Sequence, residues 1–240
     1  MSMNTSLIVA QVRRELKASA TPVRAAYEKR YLKSELVFLG APAAAHHACA
    51  KRLVRENKGI ARPQLLALVD AMWATGVHEI RSVAVLVLIE LSGLLRRSDL
   101  PLLRKWVIKS DGWALVDTIA CHLLPRMVAA DPDVLSVMDR WSVDKNFWVR
   151  RAAMLSLLLP LRRGDLTEWP RFVRYSRPQL TEKEFFIRKA IGWILREVTK
   201  KNPDVVFEFL SNNLETASGL TVREGAKYLP TKQRKTLGLT

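Results

Sequence analysis

The sequence is short of cysteine and of long apolar runs, and each shortage excludes a class of protein. Two cysteines in 240 residues are too few for a disulfide-stabilised fold. The longest apolar runs, residues 82–91 and 152–161, are ended by charges well short of the about 20 residues that a membrane-spanning helix needs. The first residues also lack the basic segment of a signal peptide. We therefore expect a cytoplasmic protein without a membrane partner.

Clustered metal ligands are scarce as well. His46, His47 and Cys49 are close in sequence, but no second cluster with CxxC or HExxH spacing appears elsewhere. Short matches of this kind are more often positions on a helix surface, and isolated cysteines such as Cys49 and Cys121 are more often buried apolar residues. The sequence therefore predicts no metal site and no cofactor.

Acidic residues are fewer than basic ones. The chain has 23 Asp and Glu against 39 Lys and Arg, a formal charge of +16, and an isoelectric point near 10.3. The basic residues recur along the chain, in KRLVR, LLRRSD, RRAAM, LRRGD and KQRK, rather than in one tail. Such a distribution favours a folded basic surface, whose usual partner is nucleic acid. The alternative is a surface whose charge serves solubility alone.

Helical periodicity dominates the sequence. Apolar residues recur at i, i+3, i+4 and i+7, and strict alternation bounded by Asn-Gly or Asp-Gly turns is missing. Four prolines mark helix beginnings, in the pairs Thr21-Pro22, Arg62-Pro63, Asp131-Pro132 and Asn202-Pro203. The pattern predicts an all-α protein with roughly a dozen helices of about 10 to 18 residues.

The helices repeat. Four segments align without gaps, HEIRSVAVLVLI from residue 78, WALVDTIACHLL from 113, FWVRRAAMLSLL from 147 and FFIRKAIGWILR from 185, and LTVREGAKYL joins the frame one place later, at 220. One aligned position is always apolar, at Ile80, Leu115, Val149, Ile187 and Val222. Two places later the position is always polar, at Ser82, Asp117, Arg151, Lys189 and Glu224. Fixed positions of this kind are typical of stacked helix pairs. We predict one domain, residues 1–240: a curved α-solenoid of HEAT-like pairs, with the aligned helices on a basic concave face.

This polar column lies among tryptophans. Trp113 lies one turn before Asp117, and Trp148 lies three residues before Arg151, so each pair shares a helix face. Trp193 lies one turn after the polar residue of the fourth segment. Spacing alone leaves two interpretations open. The tryptophans belong to the core and Asp117 forms an ordinary salt bridge with Arg151, or these five residues form a functional site.

Several segments resemble a known family. SDGWALVDTIA, NFWVRRAA and KEFFIRKAIGWILREVTKKNPDVVFEF are similar to motifs of the AlkD-type DNA alkylation repair family, HEAT-like-repeat DNA glycosylases that excise cationic alkylpurines. EKRYLKSELVFLG resembles the family's early helix and loop. The resemblance covers roughly Tyr31 to Leu210, and the third motif is long and specific. The chain departs from some members at Gly112 and Ala114, which bears on substrate range.

The resemblance implies a set of site residues. The family's catalytic aspartate falls on Asp117, its active-site tryptophans on Trp113 and Trp193, and its active-site arginine on Arg151. Further DNA-binding residues are expected at Tyr31, Trp148, Arg150, Arg188 and Lys189. The implied protein is a monomeric, monofunctional glycosylase without metal or cofactor. It acts on duplex DNA that contains alkylpurines of the 3-methyladenine or 7-methylguanine type, without a closed base-flipping pocket and without strand cleavage.

Two other functions stay open at this point. The same fold occurs in relatives whose main activity is binding branched DNA without excision, although the presence of Asp117 with both tryptophans argues against that function here. A HEAT-type protein-interaction scaffold is the second alternative, and for it the charge of +16 would be incidental. Salt titration of duplex binding separates the scaffold from both DNA-binding functions, because phosphate contacts make affinity fall steeply with salt.

Overall fold

The computed structural model describes residues 3–239, and every regular element within them is a helix. A single parallel bridge joins Val37 and Val77. Sixteen α-helices occur in the described range: α1 Thr5–Ala18, α2 Pro22–Leu32, α3 Ala43–Glu56, α4 Arg62–Ala74, α5 His78–Glu90, α6 Leu100–Ile108, α7 Trp113–Thr118, α8 Leu124–Ala130, α9 Val134–Trp141, α10 Phe147–Leu155, α11 Leu158–Arg163, α12 Trp169–Ser176, α13 Phe185–Thr199, α14 Pro203–Ser211, α15 Gly219–Gly225 and α16 Thr231–Thr236. The all-α prediction is confirmed.

Shorter helical segments complete the chain. Four are 3-10 helices, Ser92–Leu94, Arg97–Asp99, Arg177–Gln179 and Ala226–Tyr228. A fifth, Ile119–Leu123, is a π-helix that joins α7 to α8. Among the described residues no helix has both the length and the apolar content to cross a membrane.

The chain divides into two compact units, the first ending at Pro132 and the second beginning at Asp133. In the first unit α5 is the central helix, packed against α3, α4 and α1. In the second unit α13 is central and packs against α10, α11, α14 and α15. The single domain of residues 1–240 stays a prediction.

The sequence repeat coincides with the helices. The aligned segments begin at the first residues of α5, α7, α10 and α13, and the frame of the fifth segment begins at the first residue of α15. The five apolar positions of the alignment are all buried, with exposures between 0% and 5%. Four of the polar positions are half-buried, and the fifth, Arg151, is buried. These five helices therefore share the same buried apolar position and the same polar position, which agrees with the predicted helical repeat.

Helix beginnings follow the proline pattern with one exception. Thr21 caps α2 through its side chain, and Pro22 follows at the first helical position, where a missing N–H costs nothing. Pro63 and Pro203 likewise lie in the first turns of α4 and α14. Pro132 is different because it lies in the turn before α9, which begins at Val134. The prediction of a helix beginning at Asp131-Pro132 was therefore two residues early.

Several helices are shorter than predicted, and α7 shows why. The helix from residue 113 to residue 130 is continuous, but its middle turn is wider: the Leu124 N–H donates to the Ile119 carbonyl, five residues back. Pro125 follows at once and has no N–H to donate to the carbonyl four residues before it. A proline in mid-helix interrupts the regular hydrogen bonding, and here the wider turn lies directly before it.

Candidate active site

Trp113 and Asp117 both lie on α7, one helical turn apart. Leu115 and Val116 point into the core, with 2% and 0% exposure, whereas Trp113 and Asp117 are half-buried. The core side of this short helix is therefore fixed by packing, and the opposite side carries the tryptophan and the carboxylate. The π-helix begins two residues after Asp117, and π-bulges are frequent at functional sites.

The turn that leads into α7 is held by Asp111. Its backbone is left-handed, with φ of 49°, which is uncommon for a residue other than glycine. Its Oδ2 accepts hydrogen bonds from the Ser34 hydroxyl at 3.1 Å and from the Glu35 N–H at 2.6 Å. Arg81 supports the same turn, because its guanidinium donates to the Lys109 carbonyl at 2.5 Å. Asp111 therefore ties the start of α7 to the loop after α2 and sets the position of Trp113.

An exposed aromatic pair lies beside Trp113. The Tyr31 ring meets the Trp113 indole edge to face, with centroids 5.8 Å apart and planes at 79°. Tyr27, one turn earlier on α2, is parallel to Tyr31 within 5° at 6.0 Å. Tyr27 is 56% exposed and Tyr31 58% exposed. The predicted site residue Tyr31 thus contacts Trp113. Tyr27 was not among the predicted site residues, although its i, i+4 spacing to Tyr31 indicates a shared helix face.

In the second unit, Arg151 lies on α10 and is only 3% exposed. One guanidinium nitrogen donates to the Phe186 carbonyl at 2.5 Å, and the guanidinium carbon lies 6.0 Å from the centre of the Phe186 ring. The arginine is therefore anchored to the start of α13. Its low exposure means that the predicted phosphate contact requires a local rearrangement at this position.

The two tryptophans of the second unit have different surroundings. Trp148 is half-buried in an aromatic cluster, 4.5 Å from Phe147 and 4.7 Å from Phe186 between ring centroids. Trp193 is half-buried on α13, directly after Gly192. A Cβ atom on Gly192 would lie 2.7 Å from the Cβ of Glu224, so the glycine allows α15 to approach α13 next to Trp193.

Lys189 is paired inside the second unit. Its ammonium donates to Glu224 Oε1 at 2.6 Å, and Arg196 binds the other carboxylate oxygen. Burial alone would raise the pKa of Glu224, but the hydrogen bond from Lys189 and the neighbouring positive charges hold that pKa below its ordinary value. Two members of the predicted polar column thus form an ion pair between successive repeats.

Arg150 and Arg188 are also engaged. The Arg150 guanidinium donates to Gln179 at 3.0 Å, to the carbonyls of Asp144 and Lys145 at 2.9 and 3.1 Å, and to Glu182 at 2.6 Å. Arg188 donates to the Lys183 carbonyl at 2.8 Å. These bonds were not predictable from the sequence, because the side chains that accept from Arg150 lie about 30 residues away along the chain. DNA contacts by Arg150, Arg188 and Lys189 stay predictions.

The candidate residues therefore form two groups. Tyr31, Trp113 and Asp117 come together in the first unit. Trp148 and Arg151 share the surroundings of Phe186 in the second unit, whose α13 also carries Lys189 and Trp193. A single site built from both groups stays a prediction.

The cysteine and histidine cluster of α3 has ordinary partners. Cys49 is 4% exposed, and its thiol donates to Glu15 Oε2 at 3.3 Å. Burial, together with the Glu15 carboxylate, raises the pKa of Cys49 to about 11. His46 bonds to the Ala41 carbonyl at 3.2 Å. Within residues 3–239 no group of three or more His, Cys, Asp and Glu is placed to hold a metal ion.

The sequence matches the model of a known protein family. The family described as DNA alkylation repair enzyme matches residues 12–229, which is most of the chain. No curated protein matches the sequence.

Solved structures share the fold. A predicted DNA alkylation repair enzyme from Enterococcus faecalis is 28% identical, with a TM-score of 0.80 over 89% of this chain and 98% of the other. AlkD2 from Streptococcus mutans is 19% identical, with a TM-score of 0.68 over 95% and 100% of the two chains. The Pseudomonas fluorescens alkylpurine DNA glycosylase AlkC, bound to DNA containing an abasic site analog, is 17% identical, with a TM-score of 0.58 over 99% of this chain and 67% of the other. The last two likenesses concern the fold.

Proposed function

Because this chain belongs to the DNA alkylation repair enzyme family, we propose that it is a monofunctional DNA glycosylase. Its substrates are cationic alkylpurines of the 3-methyladenine or 7-methylguanine type in duplex DNA. It hydrolyses the N-glycosidic bond as a monomer, with no metal or cofactor, no closed base-flipping pocket and no strand cleavage. The structure of AlkC on DNA containing an abasic site analog supports DNA as the partner.

One observation carries the proposal: Asp117 and Trp113 lie one turn apart on the outer side of α7, in a chain of charge +16. A carboxylate on a DNA-binding surface repels phosphate, so it opposes binding. Asp117 lies beside the Trp113 indole, which contacts Tyr31. This position suits a role for the carboxylate in the chemical step. Asp111, which fixes the turn before α7, acts as a positioning residue for both side chains.

The chemistry suits these groups. A purine alkylated at N3 or N7 carries a positive charge, so it is a good leaving group without a general acid. As the glycosidic bond breaks, positive charge develops on the deoxyribose in an oxocarbenium-like transition state. The Asp117 carboxylate stabilises that charge and orients the attacking water. An indole face beside a cation contributes about 0.5 to 2 kcal/mol, which is the proposed part of Trp113 and Trp193.

The second unit supplies the remaining roles in this proposal. Arg151 holds a backbone phosphate close to the lesion. Lys189 takes no part in covalent chemistry, since its ammonium is engaged with Glu224. The products are therefore a free base and an intact strand with an abasic site.

A base-release experiment tests the proposal. The protein is incubated with a duplex that contains 7-methylguanine, the released base is measured chromatographically, and the strand is analysed with and without alkali. We expect free 7-methylguanine and a strand break only after alkali treatment. Salt-sensitive binding without base release would favour a DNA-structure-binding protein, and breaks before alkali treatment would contradict a monofunctional reaction.

A further inference from the structure

The first unit contains an open pocket that the proposed reaction does not use. It has a volume of about 390 Å³ and lies between α3, α5 and the helix formed by α7, the π-helix and α8. We refer to it as the α3–α5–α7 pocket. Small-molecule sites commonly have volumes of roughly 300 to 1,000 Å³, so this pocket has room for one aromatic base with its sugar.

The pocket is apolar on its inner side. Val85, Leu86 and Ile89 contribute from α5, Ala50 contributes from α3, and Leu115 contributes from α7. Four of these five residues are buried, with exposures of 7% or less, and Leu86 is half-buried. A planar, weakly hydrated ring fits such a wall, whereas a small inorganic anion does not.

The rim carries the groups that bind a phosphodiester. Lys51 and Arg126 are both exposed there, on α3 and α8. One Arg126 nitrogen donates to the Ile89 carbonyl at 2.9 Å, which holds the guanidinium at the edge of the pocket. His47 on α3 and His122 on the π-helix are exposed at the rim and offer imidazole donors. Cations and imidazoles around an apolar wall match a charged group attached to an apolar ring.

Polar groups between wall and rim suit the edge of a base. Glu90 is a carboxylate acceptor on α5 within an otherwise cationic rim, and a carboxylate can accept from the exocyclic amino group of a base. Thr118 and Ser82 add hydroxyls, and Thr118 uses its proton on the Ala114 carbonyl at 2.8 Å, which leaves its oxygen free to accept. A site that bound phosphate alone would not require this carboxylate or these two hydroxyls.

We propose that the α3–α5–α7 pocket binds one unpaired nucleotide of a DNA strand, with its base against the apolar wall and its phosphate at Lys51 and Arg126. The inference rests on DNA as the partner in the proposed function. The pocket lies next to the candidate site in sequence, since Thr118 follows Asp117 directly on α7. The protein therefore prefers duplexes in which a nucleotide is already unpaired.

Two neighbouring alanines provide the first test. Ala43 and Ala44 are both exposed at the start of α3, but only Ala43 lines the pocket. Binding is measured on a fully paired duplex and on the same duplex with one unpaired nucleotide. For the wild-type protein and Ala44→Trp we expect about tenfold tighter binding of the interrupted duplex, the scale of burying part of one base against an apolar wall. Ala43→Trp fills the pocket without changing charge, so it should bind both duplexes equally.

A charge-removal pair is independent of the bulky substitutions. Lys51→Gln should lower the slope of log affinity against log salt by about 0.9 on the interrupted duplex, because one phosphate contact is lost. Lys58→Gln removes the same charge from an exposed site after α3, outside the pocket, and should leave the slope unchanged. Thermal unfolding of all four variants checks that each is folded.

The outcomes separate this inference from the proposed function. The pocket proposal is contradicted if the wild-type protein binds the two duplexes with equal affinity, or if Ala43→Trp still prefers the interrupted duplex. Either result counts against it even when 7-methylguanine is released. Equal slope changes for Lys51→Gln and Lys58→Gln overturn the phosphate contact. If the protein shows the pocket-dependent preference but releases no base, the nucleotide-binding pocket is supported and the glycosylase proposal is contradicted.

Discussion

Asp117 is the residue on which the proposed chemistry depends most. Asp117→Asn is nearly isosteric and removes only the charge, so it should slow excision by about two to three orders of magnitude, the scale of one preorganised electrostatic contact. Affinity for undamaged duplex should stay equal or rise slightly, because a group that repels phosphate is lost. Single-turnover release of 7-methylguanine and a binding isotherm on intact duplex measure both effects.

A matched control separates local charge from net charge. Glu215→Gln removes one exposed carboxylate far along the chain and should leave excision unchanged. An Asp117→Asn variant with the wild-type excision rate would show that Asp117 takes no part in the reaction. Loss of helicity in the same variant would instead make Asp117 a structural ion-pair partner.

His78 gives the fold a dependence on pH. Burial, with nearby His46 and Arg81, lowers the pKa of His78 to about 4, and its ring stacks on Phe38 at 4.7 Å. The unfolded chain binds a proton near pH 6.5 and the folded chain only near pH 4, so stability is complete above about 6.5 and falls as the pH drops towards 4. The loss attributable to this group is about 3 kcal/mol.

Denaturant unfolding at a series of pH values from about 7 to 4 measures this dependence. The pH dependence should be weaker in His78→Leu than in the wild-type protein across this range. His122→Leu changes an exposed imidazole and should keep the wild-type dependence. Identical pH profiles for the wild-type protein and His78→Leu would contradict the assignment to His78.

Among the helix contacts, the close approach of α15 to α13 depends on a glycine. A Cβ on Gly192 would lie 2.7 Å from the Cβ of Glu224 and 3.4 Å from the Cα of Thr221, so the helices would have to separate. Gly192→Ala should therefore destabilise the protein by about 1 to 2 kcal/mol, since overpacking outweighs the gain in helix propensity. Thermal or denaturant unfolding measures the change.

Gly59→Ala is the comparison for this substitution, because a Cβ there meets no atom within 4 Å. It should be neutral or slightly stabilising. Gly192→Ala should also change excision more than Gly59→Ala does, since Trp193 follows Gly192 directly. A neutral effect at Gly192 would show that α15 moves aside at no cost.

The repeat register was predictable from sequence because it depends only on residues within one helix. Ile80, Val149 and Ile187 occupy the same apolar position, and each is fully buried. The turn held by Asp111 was not predictable, since its partners Ser34 and Glu35 lie about 76 residues away in the sequence. The π-helix before Pro125 was not predictable either, because apolar periodicity does not report which backbone carbonyl each N–H bonds to.

The net charge of the protein governs its first, sequence-independent contact with DNA. The excess of +16 should give measurable binding to undamaged duplex at low salt. Several phosphate contacts would weaken this binding by orders of magnitude between about 50 and 200 mM salt. Fluorescence anisotropy on an unmodified duplex measures the slope, and binding that is insensitive to salt over this range would contradict a DNA-binding function.

The bond between Cys49 and Glu15 has a consequence for a member of a DNA alkylation repair family. Electrophiles that damage purines also attack thiolates, which are the most reactive nucleophiles among side chains. With a pKa of about 11 and 4% exposure, Cys49 stays a protonated, inaccessible thiol. Cys49 therefore resists alkylation, the same kind of damage that the protein is proposed to remove from DNA.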